Sequence, residues 1–335
     1  AFMYPDFHAF LSYVFFQTMH RTGTTPILFI MKKKLFLLIP FFLTVYILFC
    51  PGHVVTASRL GLVLWYEQIL PALLPAAILS NLLISSGYAG DLSGWFKKIL
   101  CFLPVSQNGM FILFCGFLFG FPMGSKCSAQ FLKSGQICEQ EASVLFCIAN
   151  NVCPSFIASY VLLQQLCLND MFAVSLFVLY APALILGGIL LFRCRNTHCS
   201  YEKKAASRSQ INFKIIDAGI MDGFETLVKI GGYIILFSSL TFALNRSPLP
   251  EALKFLLGCT LEVTNGIHLI AASSLSLQTK YILAMAVVAF GGLSGIAQTS
   301  SMITDTSLSM KKYCKVKLFL TLCSLILAIF AARLL

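Results

Sequence analysis

The chain has 335 residues, of which 58% are hydrophobic and 11% charged, with a mean hydropathy of +0.85. Soluble domains carry about 25% charged and about 45–50% apolar residues, so this composition excludes an ordinary water-soluble enzyme, a disordered chain and a nucleic-acid-binding module. Lys and Arg outnumber Asp and Glu by 24 to 13. Most of them sit in short loops between apolar runs, so the excess reads as a topology signal rather than a nucleic-acid footprint.

In chain order, Met31-Lys32-Lys33-Lys34 followed by Leu35–Cys50 reads as the start of a bacterial membrane protein, which makes residues 1–30 an upstream extension. The run is either an uncleaved first helix or a signal peptide with Val55-Thr56-Ala57 as a weak cleavage site. In both readings residues 51–59 emerge on the outer side. Further apolar runs lie at 60–87, 109–123, 141–166, 171–192, 216–243, 253–275, 280–304 and 318–333. About 20 apolar residues span a bilayer as a helix, and lipid leaves helix as the default because it offers open backbone no partner. The expected fold class is an all-α, polytopic membrane protein.

The positive-inside rule sets the topology. Lys32–Lys34, Lys97 and Lys98, the basic stretch 193–214 and the Lys311–Lys317 cluster are all placed in the cytoplasm, with Trp95–Leu103 as a short interfacial helix. Segment 60–87 then runs inward, 141–166 outward and 171–192 inward, so 104–140 begins and ends inside. Residues 109–135 must enter and return as a re-entrant helical hairpin, broken at Gly120-Phe121-Pro122-Met123-Gly124-Ser125-Lys126, where Gly and Pro weaken the helix ladder. The same reasoning starts 216–243 inside, makes 250–279 a second hairpin broken near Glu262-Val263-Thr264-Asn265-Gly266, and ends 280–304 inside. The organisation expected is an N-terminal segment 1–59, a first repeat 60–192, a basic loop 193–214 and a second, inverted repeat 215–335. Inverted repeats whose broken helices meet at the midplane are a design of secondary transporters.

Polar residues inside such segments are costly and mark candidate sites. Pro122, Gly124, Ser125 and Lys126 open a half-helix whose N-terminus suits an anion, although Lys126 also reads as a cation snorkelling to the cytoplasm. Asn150 and Asn151 precede Pro154, and either bind a ligand or repair the kink. Thr264 and Asn265 read as substrate-binding residues, and Glu262 beside them as an ion-coupling acid for Na⁺ or H⁺, or as the partner of Lys229 in a salt bridge. Ser294 and Gln298 follow Gly291-Gly292 and offer oxygens to a substrate. Asp217, Asp222 and Glu225 read as an interfacial acidic turn. The 13 cysteines form no CxxC pair, and Cys194, His198 and Cys199 match no strong metal spacing. No catalytic set, phosphate loop or metal cluster is legible, so no enzyme, metal or cofactor is expected.

Across residues 60–335 these motifs, with Asn150-Asn151-Val152-Cys153-Pro154-Ser155-Phe156, Gly231-Gly232-Tyr233-Ile234-Ile235-Leu236-Phe237-Ser238 and Phe290-Gly291-Gly292-Leu293-Ser294, give the chain a resemblance. It resembles the nucleoside-recognition (Gate) domain family and, more narrowly, the sporulation integral membrane proteins of endospore-forming Firmicutes. That resemblance implies a fold similar to concentrative nucleoside transporters. It also implies a place in the bacterial cytoplasmic or outer forespore membrane, and transport of dipicolinate during sporulation. The function expected is secondary transport of a small polar or anionic metabolite. The alternatives are a nucleoside transporter-like protein or a non-transporting scaffold in spore-envelope assembly. The partners expected are the lipid bilayer and a small-molecule substrate, without nucleic acid, and a homo-oligomer stays open.

Overall fold

A computed structural model describes residues 44–100, 102–196 and 212–335. The 1–30 extension, Lys32–Lys34, and His198 and Cys199 in the basic loop lie outside the described residues. The chain divides into two compact units, 1–55 and 56–335. In the first, the described part is helical at 44–49 and again from Pro51.

Among the described residues there is helix and no strand. Helix α1 (Pro51–Leu64) passes through a π-helical turn (Trp65–Ile69) into α2 (Leu70–Ser86), so helix begins before the apolar run at 60–87. Then come α3 (Ala89–Ile99), α4 (Gln107–Leu118), α5 (Met123–Lys133) and α6 (Glu139–Ile148). Helix α7 starts at Pro154–Phe156 and continues as a π-helix over Ile157–Leu166, before α8 (Phe172–Asn196). The second half has α9 (Phe213–Asn245), α10 (Glu251–Leu261), α11 (Val263–Ala272), α12 (Leu277–Phe290), α13 (Gly292–Met302) and α14 (Met310–Ala331). The starts follow local chemistry. Ser106, Asn212 and Ser276 cap α4, α9 and α12 by accepting from the N–H groups of Gly109, Ile215 and Thr279, which satisfies donors that a helix N-terminus leaves open. Pro154 opens α7, where its missing N–H costs nothing.

Four helices are long and apolar enough to cross a membrane among the described residues: Asn169–Cys194, Phe213–Asn245, Leu277–Met302 and Met310–Leu334. Large apolar side chains remain exposed on them, among them Phe177, Ile185, Ile189 and Phe192 on α8, and Leu318, Leu322, Ile326 and Phe330 on α14. The i, i+4 spacing of the α14 set makes one continuous apolar face, which water would penalise and lipid accepts. The chain is a multi-pass helical membrane protein.

Shorter helices fold back on each other in pairs. Helices α4 and α5 run antiparallel, with the rings of Phe111 and Phe131 meeting edge to face at 6.0 Å. Helices α10 and α11 do the same, with Gly266 against the backbone of Cys259 and Gly258 against Leu269. The α4–α5 break occupies only Phe119–Pro122, so Gly124, Ser125 and Lys126 already belong to α5. The α10–α11 break is shorter still: Glu262 alone is extended, and Val263–Gly266 forms the first turn of α11. Two longer helices are interrupted as well, α6–α7 over Ala149–Cys153 and α12–α13 at Gly291, where Gly291 and Gly292 have φ of +77° and +72°. Side-chain-bearing residues rarely adopt that backbone.

Three hydrophobic clusters hold these elements. One joins α4, α5, α6, α8 and α14 around Phe111, Phe131 and Phe146. A second joins α7, α8, α12 and α14 around Ile157, Tyr281 and Met285. The third packs Leu73 and Ala77 of α2 against Leu227, Ile230 and Ile234 of α9, with Met123 of α5. The closest backbone approach is at the end of α6, where a Cβ on either Gly116 or Gly124 would run into the Ala149 carbonyl. Gly124→Ala is therefore expected to lower stability by about 1–3 kcal/mol, the usual cost of overpacking. A denaturant titration of the detergent-solubilised protein measures it, and a value within error of wild type would contradict this contact.

Candidate functional site

The four helix interruptions converge. The Phe121 N–H, at the α4–α5 break, donates to the Asn151 carbonyl in the α6–α7 break at 2.6 Å. The Phe121 ring lies against Gly291 and Gly295, where a Cβ on Gly295 would come within 3.2 Å of it. On the other side, a Cβ on Gly292 would stand 3.1 Å from the Val263 nitrogen and 3.2 Å from the Glu262 Cα. Backbone thus meets backbone between the α4–α5 and α6–α7 breaks and between the α10–α11 and α12–α13 breaks, and the Phe121 ring joins the two pairs.

The α6–α7 break accounts for its own carbonyls one by one. The Asn150 carbonyl accepts from Lys317 Nζ at 2.8 Å. That of Asn151 is taken by Phe121, that of Val152 by the Tyr180 hydroxyl at 2.6 Å, and that of Cys153 by Ile157 N. The two amides play different parts. Asn151 Nδ2 donates to the Ile148 carbonyl at 2.7 Å, finishing the helix that precedes it. Asn150 reaches outward: its Oδ1 accepts from Ser125 Oγ at 3.3 Å, and its Nδ2 donates to Thr299 Oγ1 at 2.6 Å and to the Tyr313 hydroxyl at 3.0 Å. One buried side chain so ties α5, α13 and α14 together.

Glu262 is 3% exposed. Its Oε2 accepts from the Asn265 N–H at 2.9 Å and its Oε1 from Thr264 Oγ1 at 3.0 Å, so the carboxyl caps α11, a favourable place for negative charge. The salt bridge with Lys229 is not made: Lys229 binds Glu225 at 2.6 Å, and both side chains are at least half exposed. Lys126 is neither free nor at the surface. Its ammonium binds Asp222 Oδ2 at 2.6 Å and Thr226 Oγ1 at 2.7 Å, so Asp222 is the counter-ion of Lys126 and ties α5 to α9. Lys317, grouped by sequence with the cytoplasmic lysines, is 2% exposed, whereas Lys311, Lys312 and Lys315 are exposed. No signal in the sequence separated it from its neighbours, since only packing decides which face of α14 turns inward.

A cavity of about 150 Å³ opens at the convergence. Its polar wall comes from Glu262, Thr264, Ser294 and Gln298, joined by Ser155 and Ser159, and its apolar wall includes Phe119, Phe121 and Phe156. Gln298 Nε2 donates to Ser294 Oγ at 3.0 Å, one turn apart on α13. Of the residues singled out by sequence, Thr264, Ser294, Gln298 and Glu262 line this space. Pro122, Gly124, Ser125, Lys126, Asn150, Asn151 and Asn265 stand outside its lining. Ser155, Ser159 and the aromatic wall were not anticipated. Among the described residues no group of His, Cys, Asp and Glu is placed to hold a metal ion.

The Lys126–Asp222 pair can be tested directly. Asp222→Asn leaves a buried ammonium short of its charge partner, and because the Asp222 side chain is 43% exposed the expected loss of stability is about 1–3 kcal/mol. Adding Lys126→Met is expected to recover most of it. Additive losses in a denaturation cycle would argue against the pair.

The comparisons agree with the fold. The chain is 27% identical over 317 residues to the sporulation integral membrane protein YlbJ of Bacillus subtilis (strain 168), a match covering 81% of this chain and 76% of that protein. No family model and no solved structure matches it. The chain is a multi-pass helical membrane protein similar to a sporulation integral membrane protein.

Proposed function

We propose that the protein is a secondary transporter of a small polar metabolite, and that the cavity at the four helix breaks is its substrate site. The observation that carries this reading is the cavity itself, walled on its polar side by a carboxyl, an amide and four hydroxyls within an otherwise apolar body. In this reading α4–α5 and α10–α11 are re-entrant hairpins of a Gate-like, inverted repeat, and alternating access comes from one part rocking against the other. The repeated order of elements supports it: a long helix, an antiparallel short pair, an interrupted helix and a closing helix occur twice. A non-transporting scaffold in the spore envelope predicts a filled interior and a Glu262 neutralised by Lys229; the cavity and the Lys229–Glu225 pair favour transport.

The likeness to a sporulation integral membrane protein supports a role during sporulation, and the cytoplasmic or outer forespore membrane is the place that the family resemblance implies. Dipicolinate is the substrate that the family resemblance implies. Its two carboxylates meet Glu262, the charged residue in the cavity wall, and both buried lysines are held elsewhere. In this reading an anion is repelled by Glu262 unless that carboxyl takes up a proton as the anion enters, and H⁺ would then be the coupling ion. A nucleoside needs no such proton and uses Gln298, Ser294 and the aromatic wall.

The test is uptake by vesicles containing the purified protein, with labelled dipicolinate and nucleosides offered in parallel. Wild type is expected to accumulate one of them. Glu262→Gln and Gln298→Ala are each expected to cut uptake by about 10-fold or more, the size of a lost buried hydrogen bond, while Lys214→Ala, at an exposed position at the start of α9, leaves it unchanged. Uptake no greater than in empty vesicles, or undiminished in both site variants, would refute the proposal.

A further inference from the structure

Among the described residues two lysines lie buried in the helical body, and one of them has an ionic partner there. Lys126 is matched by Asp222. Lys317 is as deeply buried as the core aromatics, yet among the described residues no carboxylate reaches it. Its ammonium donates to the Asn150 carbonyl, and its Cε lies 3.9 Å from where a Cβ on Gly291 would stand. Glu262 is on the far side of the Gly291-Gly292 turn and is engaged with the start of α11. Burying an ammonium without a counter-ion is expensive, so its surroundings must supply negative potential of another kind.

They do. Helix α6 ends at Ile148, and Asn150 lies just past it. The carbonyl end of a helix carries roughly half a negative charge, and the Asn150 carbonyl has lost its place in the ladder because Pro154, four residues on, has no N–H to offer. Unwound carbonyls at the C-terminal end of a half-helix are the groups with which discontinuous membrane helices coordinate Na⁺. Here the cation on those groups is covalently attached to α14.

We propose that Lys317 is a tethered cation: its ammonium fills the position at the end of α6 that a free alkali ion occupies when such a carbonyl is open, so this break requires no Na⁺. For the transport function proposed above, on which this consequence rests, Na⁺ is then not a coupling ion at the α6–α7 break. The physical claim itself concerns the folded protein and is tested without substrate, so its failure and that of the transport reading are separable.

The experiment is thermal melting of the detergent-solubilised full chain at constant ionic strength, with NaCl exchanged for choline chloride, whose cation is too large for the position. Wild type is expected to melt at the same temperature in both salts. Lys317→Ala is expected to melt lower in choline and to regain about 2–4 °C, roughly 1 kcal/mol, in a saturable response to Na⁺ or methylammonium. Lys317→Met, which fills the space without charge, is expected to melt low and respond to neither. A saturable rise of the wild-type melting temperature with Na⁺ would overturn the proposal. So would a Lys317→Ala protein that melts like wild type, or one that responds to neither cation. If Lys317→Ala does not fold, the wild-type salt exchange decides alone: a flat response supports the tethered cation, and a Na⁺-dependent rise refutes it.

Discussion

Lipid gives an interrupted helix nothing to bond with, and every peptide group released by a break must find its partner inside the protein. That constraint organises this molecule. Each interruption in an apolar body must find its partners in a neighbouring break or in a helix packed against it. The Phe121 N–H satisfies the Asn151 carbonyl, Tyr180 reaches from α8 to Val152, and Lys317 reaches from α14 to Asn150. The cavity is the space that this mutual arrangement leaves, and its polar wall exists because the breaks are there.

The same economy explains the buried side chains. Among the described residues no cation pairs with Glu262, and the Asn265 N–H and the Thr264 hydroxyl at the head of α11 take that place. Lys126 does have a counter-ion, supplied by a helix almost a hundred residues away in sequence. Charge balance is thus met by two routes, dipole and ion. Neither lysine adds its charge to the cavity wall, which leaves a carboxyl as the charged group there.

Helical class and the places where helices fail were legible in the sequence, because Gly, Pro and paired amides stand out against long apolar runs. Gly120-Phe121-Pro122, Asn150 to Pro154, Glu262 and Gly291-Gly292 all sit at or beside the interruptions. Their length was less legible: Gly124 to Lys126 look like loop by composition, yet α5 already includes them, since its packing against Ala149 rewards a glycine that propensity alone disfavours. Pairings across the body were not legible. Asp222 looks like any interfacial acid until α9 is laid beside α5, and Lys317 looks like its three exposed neighbours until α14 is rotated into place. Ser155 and Ser159, one turn apart, are not legible as site residues because nothing in a single chain says which surface faces a void.

Asn150 has an implication for how the body can move. Its amide holds one short helix on one side and two helices of the other half on the other, while its carbonyl holds a lysine. Any displacement of α13 or α14 relative to α5 stretches bonds that share a single residue. Rearrangement must then either carry that residue along as a hub or break several of its bonds at once, so the region behaves as a fulcrum and the compliance lies farther out, toward the ends of the long helices.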